Sequence, residues 1–407
     1  MDKHKKEKKI DYSFKGKGSY GCVVTPALPC KGDNPKQKQK QEKKNGNSGV
    51  SKLFFKKKNA KREFEIRDLL VKIDPEQQYI IMPSRMCSTD ISVLSDDVFS
   101  KCDFDIVSTN NTFVTTKTAK NNNNNDNNDR GETVSDDSYF GMHDAPSLKK
   151  KQIIYDDGGS SLKKIFQNNT WIMFEDLLPH LTNVFEGLIH LQKHNIVHMD
   201  MKPGNLVFNP DAETKKIRMI DFGLVEYIPQ VREIALNPSK RVNSTFWRRV
   251  GYFKYPYYPI DFLILVILFN KKSTVKKRFE MMRQALELKT KLSREPFSVN
   301  QTKTALSEHY YRYFLPFAMI GEQSDKMLKN FVKELPEKID IFGLGVGLFE
   351  LYALAQKTDR FKDAVWCEEN VVPLLKKLTH PILTERLNPT NALKEWQTLV
   401  RKLKKQK

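Results

Sequence analysis

The sequence has few cysteines and no long hydrophobic run. Its five cysteines are odd in number and form no CxxC pair, which argues against a disulfide framework and a zinc site and favours a reducing compartment. The longest apolar stretch, FLILVILF, is far shorter than the roughly 20 residues that span a bilayer. The charged N-terminus is unlike a signal peptide. We therefore expect no membrane partner and a cytoplasmic location.

Acidic residues are outnumbered by basic ones. The chain has 69 Lys and Arg against 49 Asp and Glu, which gives a net charge of +20. Such a surface can favour nucleic acid, an acidic membrane or an acidic substrate. The lysines lie in runs such as KHKKEKK and KLKKQK, which are typical of solvated tails and loop faces. No base-stacking motif accompanies them, so we expect no specific nucleic-acid binding.

The chain is long enough for two lobes or domains. It has 407 residues, of which 39% are hydrophobic, and a single core usually stops growing below this length. We divide the chain into a basic tail at 1–11, a smaller domain at 12–155 and a helical domain at 156–407. Insertions are expected in the smaller domain at about 25–49 and at about 108–150, where an asparagine tract predicts disorder, and in the helical domain at about 270–335.

Hydrophobic spacing predicts the main secondary-structure elements. A strand, a Gly-rich turn and a second strand are predicted over 12–24, with further strands at 50–55 and from 152. Helices are predicted at 59–73, 173–193 and 339–355, with two more within 369–403. The helix at 173–193 has a strong apolar stripe, and the one at 339–355 reads as fully buried.

The most informative stretch is HMDMKPGN, which is followed by DFG. Phosphoryl transfer from a nucleotide needs a carboxylate that orients a hydroxyl, a cation beside the moving phosphoryl group and oxygen ligands for magnesium. We expect Asp200 to accept or orient the hydroxyl proton and Lys202 to neutralise the developing charge. Asn205 and Asp221 are the expected Mg²⁺ ligands. His198 is expected to hydrogen-bond the backbone rather than take part in catalysis.

The glycine-rich stretch GKGSYGCV predicts a nucleotide-binding hairpin. Glycines let backbone N–H groups approach phosphate oxygens that a side chain would block. Strands rather than a helix follow, which argues against a dinucleotide fold. A tight hairpin turn without a ligand is the alternative, and the downstream loop favours nucleotide binding. The residues expected at this site are Lys15, Gly16, Lys17, Gly18, Ser19, Tyr20, Gly21, Cys22 and Val23.

Lys52 lies among apolar residues of a predicted strand. A buried lysine is costly without an anion, which a nucleotide phosphate would supply; an edge-strand lysine that points to water is the alternative. The usual partner of such a lysine is a carboxylate on the next helix, where Glu63 and Glu65 are both available. We favour Glu63, because Ile66 and Leu70 follow at the spacing of the packed face.

These motifs, in this order, resemble those of the eukaryotic-type protein kinases. The resemblance covers about residues 12–395, with IIYDDGG similar to the inter-lobe hinge and YYPIDFL similar to a diverged APE segment. In that family pattern, Asp340 ties down the catalytic-loop backbone and Arg386 pairs with Asp261. GSYGCVVTPALPC, VSKLF and the asparagine tract are similar to the divergent kinases of large cytoplasmic DNA viruses.

The resemblance implies an α+β, bilobal protein-kinase-like fold, with a small β-rich N-lobe of five strands and one helix and a larger helical C-lobe. It implies ATP and Mg²⁺ as the bound groups and a protein substrate as the acceptor. Lys202, two residues after Asp200, resembles serine/threonine kinases, so we expect a Ser or Thr hydroxyl. A viral relative would be located in the host cytoplasm or in the virion.

Met199 departs from the family pattern, which usually has arginine before the catalytic Asp. That arginine normally pairs with a phosphate on the activation segment, so activation by phosphorylation there is doubtful. Ser244, Thr245 and Tyr252 are accordingly weak candidates for regulatory sites. Two alternatives remain: a pseudokinase that binds nucleotide without turnover, and a small-molecule kinase, against which the buried helix and the YYPID segment argue.

Overall fold

The computed structural model describes most of the chain outside the predicted insertions. The described residues are 10–18, 20–33, 49–104, 107–109, 112–114, 149–168, 172–241, 244–252, 255–269, 274, 276–277, 280 and 324–406. Most of the range 108–150 in which disorder was predicted, and most of the insertion predicted at about 270–335, lie outside the described residues. Residues 108–109, 112–114 and 149–150 are described and lie in strands, so the prediction of disorder was wrong there.

Twelve strands occur among the described residues. They are β1 Ser13–Gly18, β2 Gly21–Thr25, β3 Val50–Phe54, β4 Pro83–Asp90, β5 Val107–Thr109, β6 Thr112–Val114, β7 Lys149–Tyr155, β8 Ser160–Ser161, β9 Ile196–Val197, β10 Leu206–Phe208, β11 Ile217–Met219 and β12 Glu226–Tyr227.

Eleven α-helices occur in the same part of the chain. They are α1 Lys57–Glu65, α2 Arg67–Ile73, α3 Asp96–Lys101, α4 Leu162–Gln167, α5 Phe174–Lys193, α6 Ile228–Leu236, α7 Thr245–Val250, α8 Asp261–Phe269, α9 Ser324–Lys357, α10 Ala364–Leu378 and α11 Pro389–Gln406.

The described residues fall into two compact units. The first comprises the described parts of Met1–Glu65 and Pro83–Asp157, and the second comprises those of Ile66–Met82 and Gly158–Lys407. The second unit therefore includes the segment Ile66–Met82, which the sequence had assigned to the smaller domain.

The first unit is built on a five-stranded antiparallel sheet in the order β1-β2-β3-β7-β4. The central strand β3 has four of its five residues buried, and Leu53 on β3 and Ile153 on β7 are fully buried. The hairpin predicted over 12–24 and the strand predicted at 50–55 are both confirmed. The unit also contains α3, which sequence patterning missed.

Each of two disulfides ties a strand of the first unit to a residue outside its strands, so the prediction of no disulfide framework was wrong. Cys22 on β2 is bonded to Cys102, and Cys30 is bonded to Cys87 on β4. The paired residues are 80 and 57 positions apart, so no local spacing motif marks them. Cys367 is the free cysteine. Because disulfides persist in oxidising environments, the cysteines do not favour a reducing compartment.

Removing the Cys22–Cys102 bond is expected to destabilise the first unit. The double variant Cys22→Ser, Cys102→Ser should lower the free energy of unfolding by about 2–4 kcal/mol, because the bond restricts a long loop of the unfolded chain. Urea denaturation would measure this loss. Peptide mapping without reductant is the control for the bond itself, and recovery of Cys22 and Cys102 as free thiols would contradict the assignment.

The second unit has a large apolar core centred on long helices. Helix α5 begins one residue after its predicted start and ends at the predicted residue, and Leu177, Leu181 and Leu188 on its predicted stripe are buried. Helices α9, α10 and α11 pack around it, and Trp396 on α11 donates a hydrogen bond from Nε1 to the carbonyl of Leu178 at 3.0 Å. This core supports the loop that follows α5.

The helix predicted at 59–73 is two helices, which is a correction. The break at Ile66 separates α1 from α2, and the two belong to different units. Ala60 on α1 packs with the sheet of the first unit, whereas Leu70 and Ile73 on α2 pack into the core of the second. The apolar residues looked periodic because two helices with separate cores follow one another directly.

Helix α9 is longer than the predicted helix at 339–355. It runs from Ser324 to Lys357 and contains Pro336. Its part Leu328–Lys357 is long and apolar enough to cross a membrane, and 78% of its most apolar window is buried within the protein. That burial is what a central core helix requires.

Candidate active site

The loop after α5 is fixed by a buried carboxylate on α9. Asp340 accepts hydrogen bonds from the backbone amides of His198 at 2.7 Å and Met199 at 2.9 Å. Burial raises the pKa of Asp340, and its interactions with His198 and these two amides oppose that rise. The predicted role of Asp340 in tying down the loop backbone is confirmed.

The Asp200 carboxylate is buried and held by three donors. Its Oδ2 accepts hydrogen bonds from Lys202 Nζ at 2.7 Å and Asn205 Nδ2 at 2.9 Å, and its Oδ1 accepts one from the Tyr255 hydroxyl at 2.9 Å. Asn205 Nδ2 also donates to the Asp200 carbonyl at 2.9 Å. The structure therefore brings together three of the predicted residues, Asp200, Lys202 and Asn205, around one fixed carboxylate.

Asn205 and Asp221 flank a short hairpin. Strand β10 follows Asn205 directly, pairs with β11, and returns the chain so that the Ile220 amide donates to the Asn205 carbonyl at 3.0 Å. The Asn205 amide nitrogen donates two hydrogen bonds to Asp200, which points to the amide oxygen as the atom that binds a cation. Oxygen from an amide and a carboxylate fits Mg²⁺, which takes its remaining ligands from phosphates and water.

Two residues of this site have backbone angles in the left-handed region. Met199 has φ of +68° and Asp221 has φ of +66°, a conformation that costs a non-glycine residue about 1–3 kcal/mol. Asp340 binds the amide of Met199, which stabilises the first of these. Residues with such strained backbone angles persist only where the surrounding structure holds them, and they are frequent at functional sites.

His198 is a structural residue, as predicted. It is fully buried, its Nε2 bonds with the Ile220 carbonyl at 3.0 Å, and its Nδ1 accepts from the Asp200 amide at 3.3 Å. Its ring packs edge-on against Phe222, with centroids 4.5 Å apart. His198 therefore links the loop that carries Asp200 to the DFG turn.

Lys52 in the first unit pairs with Glu63 rather than Glu65. Its Nζ lies 2.7 Å from both carboxylate oxygens of Glu63, and the Tyr155 hydroxyl donates to Glu63 Oε1 at 2.6 Å. Both charged side chains are largely buried, whereas Glu65 is exposed beside Lys61. The edge-strand alternative for Lys52 is thereby excluded, and the favoured choice of Glu63 is confirmed.

Packing within the first unit explains one glycine of the predicted hairpin but not two others. A Cβ on Gly21 would lie 2.0 Å from the Leu53 carbonyl oxygen, so pairing with β3 requires glycine there. At Gly16 and Gly18 no described protein atom lies within 4 Å of such a Cβ. The packing of the first unit therefore gives no reason for glycine at these two positions, which fits a backbone that a phosphate approaches.

The side chains of the hairpin are engaged within the first unit. Lys15 pairs with Asp157 and Lys17 pairs with Asp103, and Tyr20 is partly exposed. Cys22 is a correction, because its sulfur is in the disulfide and its side chain is fully buried, so only its backbone could contact a nucleotide. Val23 pairs with Lys52 across β2 and β3, while Ser19 lies outside the described residues.

Tyr255 is a site residue that sequence reasoning missed. Its hydroxyl donates to Asp200 Oδ1 and accepts from Lys202 Nζ at 3.1 Å. Burial, followed by the negative charge of Asp200, raises the pKa of Tyr255, so the hydroxyl stays protonated at neutral pH. Tyr255 lies 55 residues after Asp200, in a stretch without hydrophobic periodicity. The high density of aromatic residues in YPYYP is the one sequence signal that could have indicated it.

The central part of the chain matches a known family. Residues 153–250 match the protein kinase domain, which is about a quarter of the chain. This segment includes Asp200, Asn205 and Asp221, whereas Lys52 and Asp340 lie outside it.

Curated relatives match over similar short segments. CDPK-related kinase 1 of Arabidopsis thaliana is 29% identical over 87 residues, 21% of this chain and 14% of that protein. Serine/threonine-protein kinase KIN28 of Saccharomyces cerevisiae is 37% identical over 59 residues, 14% of this chain and 18% of that protein. Myosin light chain kinase family member 4 of Homo sapiens is 31% identical over 100 residues, 24% of this chain and 25% of that protein. The matches thus span a quarter or less of each of these relatives.

These matches support a eukaryotic-type protein kinase. An internal ion pair fixes the stretch after DFG. Glu226 accepts hydrogen bonds from Arg249 Nη1 at 2.9 Å and from Thr245 Oγ1 at 2.7 Å, and both charged side chains are about nine-tenths buried. Arg249 also donates to the carbonyl of Leu224.

Met199 packs into an apolar cluster with residues of the stretch after DFG. It is 1% exposed and lies with Ile228, Val231 and Phe246, where the family pattern would place a charged arginine. Arg249 pairs with the Glu226 carboxylate of the same chain, so no phosphate is needed to neutralise its charge. Of the candidate regulatory hydroxyls, Thr245 is bonded to Glu226 and only Tyr252 is largely exposed.

The predicted pair of Asp261 and Arg386 is confirmed. Arg386 Nη2 lies 2.7 Å from Asp261 Oδ2, and both side chains are fully buried. Arg386 Nε donates to the His380 carbonyl at 2.8 Å, and its guanidinium stacks 4.9 Å from the Phe342 ring centroid. Burial raises the pKa of Asp261, and the charge of Arg386 opposes that rise. This pair ties the start of α8 to the chain just before α11, within the second unit.

Proposed function

We propose that this chain is a serine/threonine protein kinase that transfers the γ-phosphoryl group of MgATP to a hydroxyl of a protein. The observation that carries the proposal is the Asp200 carboxylate, which is buried and held by Lys202, Asn205 and Tyr255. A fixed carboxylate beside a lysine is the arrangement that orients an acceptor hydroxyl next to a moving phosphoryl group.

Each residue of the loop has a separate role in this proposal. Asp200 accepts a hydrogen bond from the acceptor hydroxyl and takes its proton as transfer proceeds. Lys202 carries three N–H donors, of which two reach Asp200 and Tyr255, and the third can neutralise charge on the phosphoryl oxygens. Asn205 and Asp221 would hold Mg²⁺, which supplies charge neutralisation of the phosphates when bound.

Lys52 and Glu63 are proposed to act on the phosphates of the nucleotide. Glu63 orients the ammonium group with both carboxylate oxygens, and Lys52 binds phosphate oxygens together with the backbone of Gly16 and Gly18. The bilobal arrangement that the family resemblance implies is also part of this proposal.

The identity of the phosphoryl acceptor and the viral origin of the chain are also proposals. A protein acceptor is consistent with the kinase names of the relatives, and the Ser or Thr acceptor rests on Lys202 two residues after Asp200. The similarity to divergent kinases of large cytoplasmic DNA viruses rests on the motifs around the glycine-rich hairpin. A cytoplasmic location stays a prediction.

The second candidate is a pseudokinase that binds nucleotide without turnover. The presence of Lys52, Asp200, Asn205 and Asp221 argues against it, because a pseudokinase usually lacks at least one of these. Ordered contacts at Lys52 and Asp200 add to that argument.

Labelled phosphoryl transfer tests the proposal. Wild-type protein with γ-labelled ATP and Mg²⁺ is expected to label Ser or Thr of a generic basic or acidic acceptor protein, as read by phosphoamino-acid analysis. Lys52→Met should lower kcat/KM for ATP by roughly 10²-fold, because it removes a preorganised cation from the phosphates.

Lys377→Met is the matched control for that experiment. Lys377 also pairs with a carboxylate, Glu395 at 2.8 Å, but on the exposed faces of α10 and α11, so its loss should leave kcat/KM unchanged. Binding of nucleotide without transfer to any acceptor by the wild type would instead favour the pseudokinase.

A further inference from the structure

A tyrosine from the activation segment closes a ring of hydrogen bonds around the proposed catalytic pair. Lys202 Nζ donates to Asp200 Oδ2 at 2.7 Å and to the Tyr255 hydroxyl at 3.1 Å, and that hydroxyl donates to Asp200 Oδ1 at 2.9 Å. Lys202 Nζ also lies 5.7 Å from the centroid of the Tyr255 ring. Each of the three residues is thus in contact with the other two.

The Tyr255 ring is held by its own neighbours. Its centroid lies 5.3 Å from that of Tyr257 and 4.9 Å from that of Tyr258. The Tyr255 amide donates to the Tyr252 carbonyl at 2.8 Å, and the Tyr258 amide donates to the Tyr255 carbonyl at 3.1 Å. The Tyr255 hydroxyl therefore contacts Asp200 from a ring whose position is fixed by packing and by backbone hydrogen bonds.

The two oxygens of Asp200 have different donors, and this leaves Oδ1 able to accept a further hydrogen bond. A carboxylate has about four lone-pair sites. Lys202 and Asn205 both donate to Oδ2, while Tyr255 donates to Oδ1. Oδ1 can therefore accept one further hydrogen bond, which is the place for the acceptor hydroxyl. The Tyr255 bond decides which way that oxygen faces.

We propose that Tyr255 is a positioning residue for phosphoryl transfer: its hydroxyl fixes the rotation of the Asp200 carboxylate and the direction of the Lys202 ammonium. This inference rests on the proposed kinase function and adds a residue to it. Tyr255 acts through Asp200 and Lys202, so its loss affects the rate of transfer and not the binding of nucleotide.

Tyr255→Phe tests this role because it removes only the hydroxyl. The variant is expected to lower kcat by about 10- to 100-fold, since a hydrogen bond to a charged group that acts in the transition state is lost. KM for ATP and the dissociation constant of a fluorescent ADP analogue should stay within about twofold of wild type, because uniform binding is not changed.

Tyr352→Phe is the matched control. The Tyr352 hydroxyl also donates to a carboxylate, Glu368 Oε2 at 2.7 Å, from a buried ring, but on α9 and α10 away from the loop. Both variants lose one such bond and are expected to lower the melting temperature similarly. Only Tyr255→Phe should lower kcat, which separates positioning from general stability.

A double-variant cycle gives the second readout. In an Asp200→Asn background, Tyr255→Phe should cause no further loss of kcat, because residues that act as a unit are non-additive. An unchanged or increased kcat in Tyr255→Phe would overturn the positioning role of Tyr255, because the hydroxyl would then be dispensable or inhibitory. If the wild type still transfers the phosphoryl group in that experiment, the proposed kinase function is unaffected. A wild type that transfers to no acceptor contradicts both.

Discussion

Asp200→Asn is expected to lower kcat for phosphoryl transfer by roughly 10²- to 10⁴-fold, the range for removal of a positioned general base. Asparagine keeps the size of the side chain but cannot take the hydroxyl proton, and its amide cannot accept on both sides from Lys202 and Tyr255. The measurement is steady-state transfer of label from γ-labelled ATP to the acceptor protein, with nucleotide binding measured in parallel.

Asp176→Asn is the control for the catalytic carboxylate. Asp176 also pairs with a lysine, Lys362 at 2.6 Å, but with both side chains well exposed. Its replacement should leave kcat unchanged, because surface pairs contribute about 0–1 kcal/mol. Retention of wild-type kcat by Asp200→Asn would contradict the assignment of Asp200.

Arg386→Ala is expected to lower the free energy of unfolding by about 3–5 kcal/mol, the usual cost of breaking a buried ion pair by removing one partner. Asp261 would remain fully buried without the guanidinium at 2.7 Å. Because burial already raises the pKa of Asp261, the folded variant binds a proton that the unfolded chain releases. Its stability should therefore fall as pH rises above about 4, the ordinary pKa of Asp. Urea denaturation at several pH values measures both effects.

The double variant Asp261→Leu, Arg386→Met is the control for that charge effect. Replacement of a buried pair by apolar residues of similar volume is often neutral, so the double variant should be more stable than Arg386→Ala alone. An equal loss in both would mean that packing of Arg386 against Phe342, rather than the uncompensated charge, stabilises this region.

Local patterns predicted the elements that surround the proposed site. The glycine-rich hairpin, strand β3 and helix α5 were all predicted near their observed bounds, because each depends on the alternation or spacing of its own residues. The contacts of Asp340 and Arg386 were implied only by the family resemblance. Their partners lie more than 100 positions away, beyond the reach of any periodicity.

The features that sequence reasoning missed all depend on distant packing. Cys22 and Cys102 meet because a helix after β4 packs beside the glycine-rich hairpin, and no spacing rule anticipates that. The break at Ile66 arises because consecutive apolar residues serve two different cores. Tyr255 contributes a hydroxyl from a segment whose position depends on the aromatic cluster around it. In each case the deciding partner is fixed only once the chain has folded.

The exchange of arginine for Met199 has a consequence for how such an enzyme would be regulated in a cell. Met199 packs against apolar residues, and Glu226 provides the negative charge that Arg249 requires. If the proposed kinase function holds, we expect transfer activity as soon as the chain has folded, without prior phosphorylation by another kinase. Its output would then follow the timing of its own synthesis and turnover.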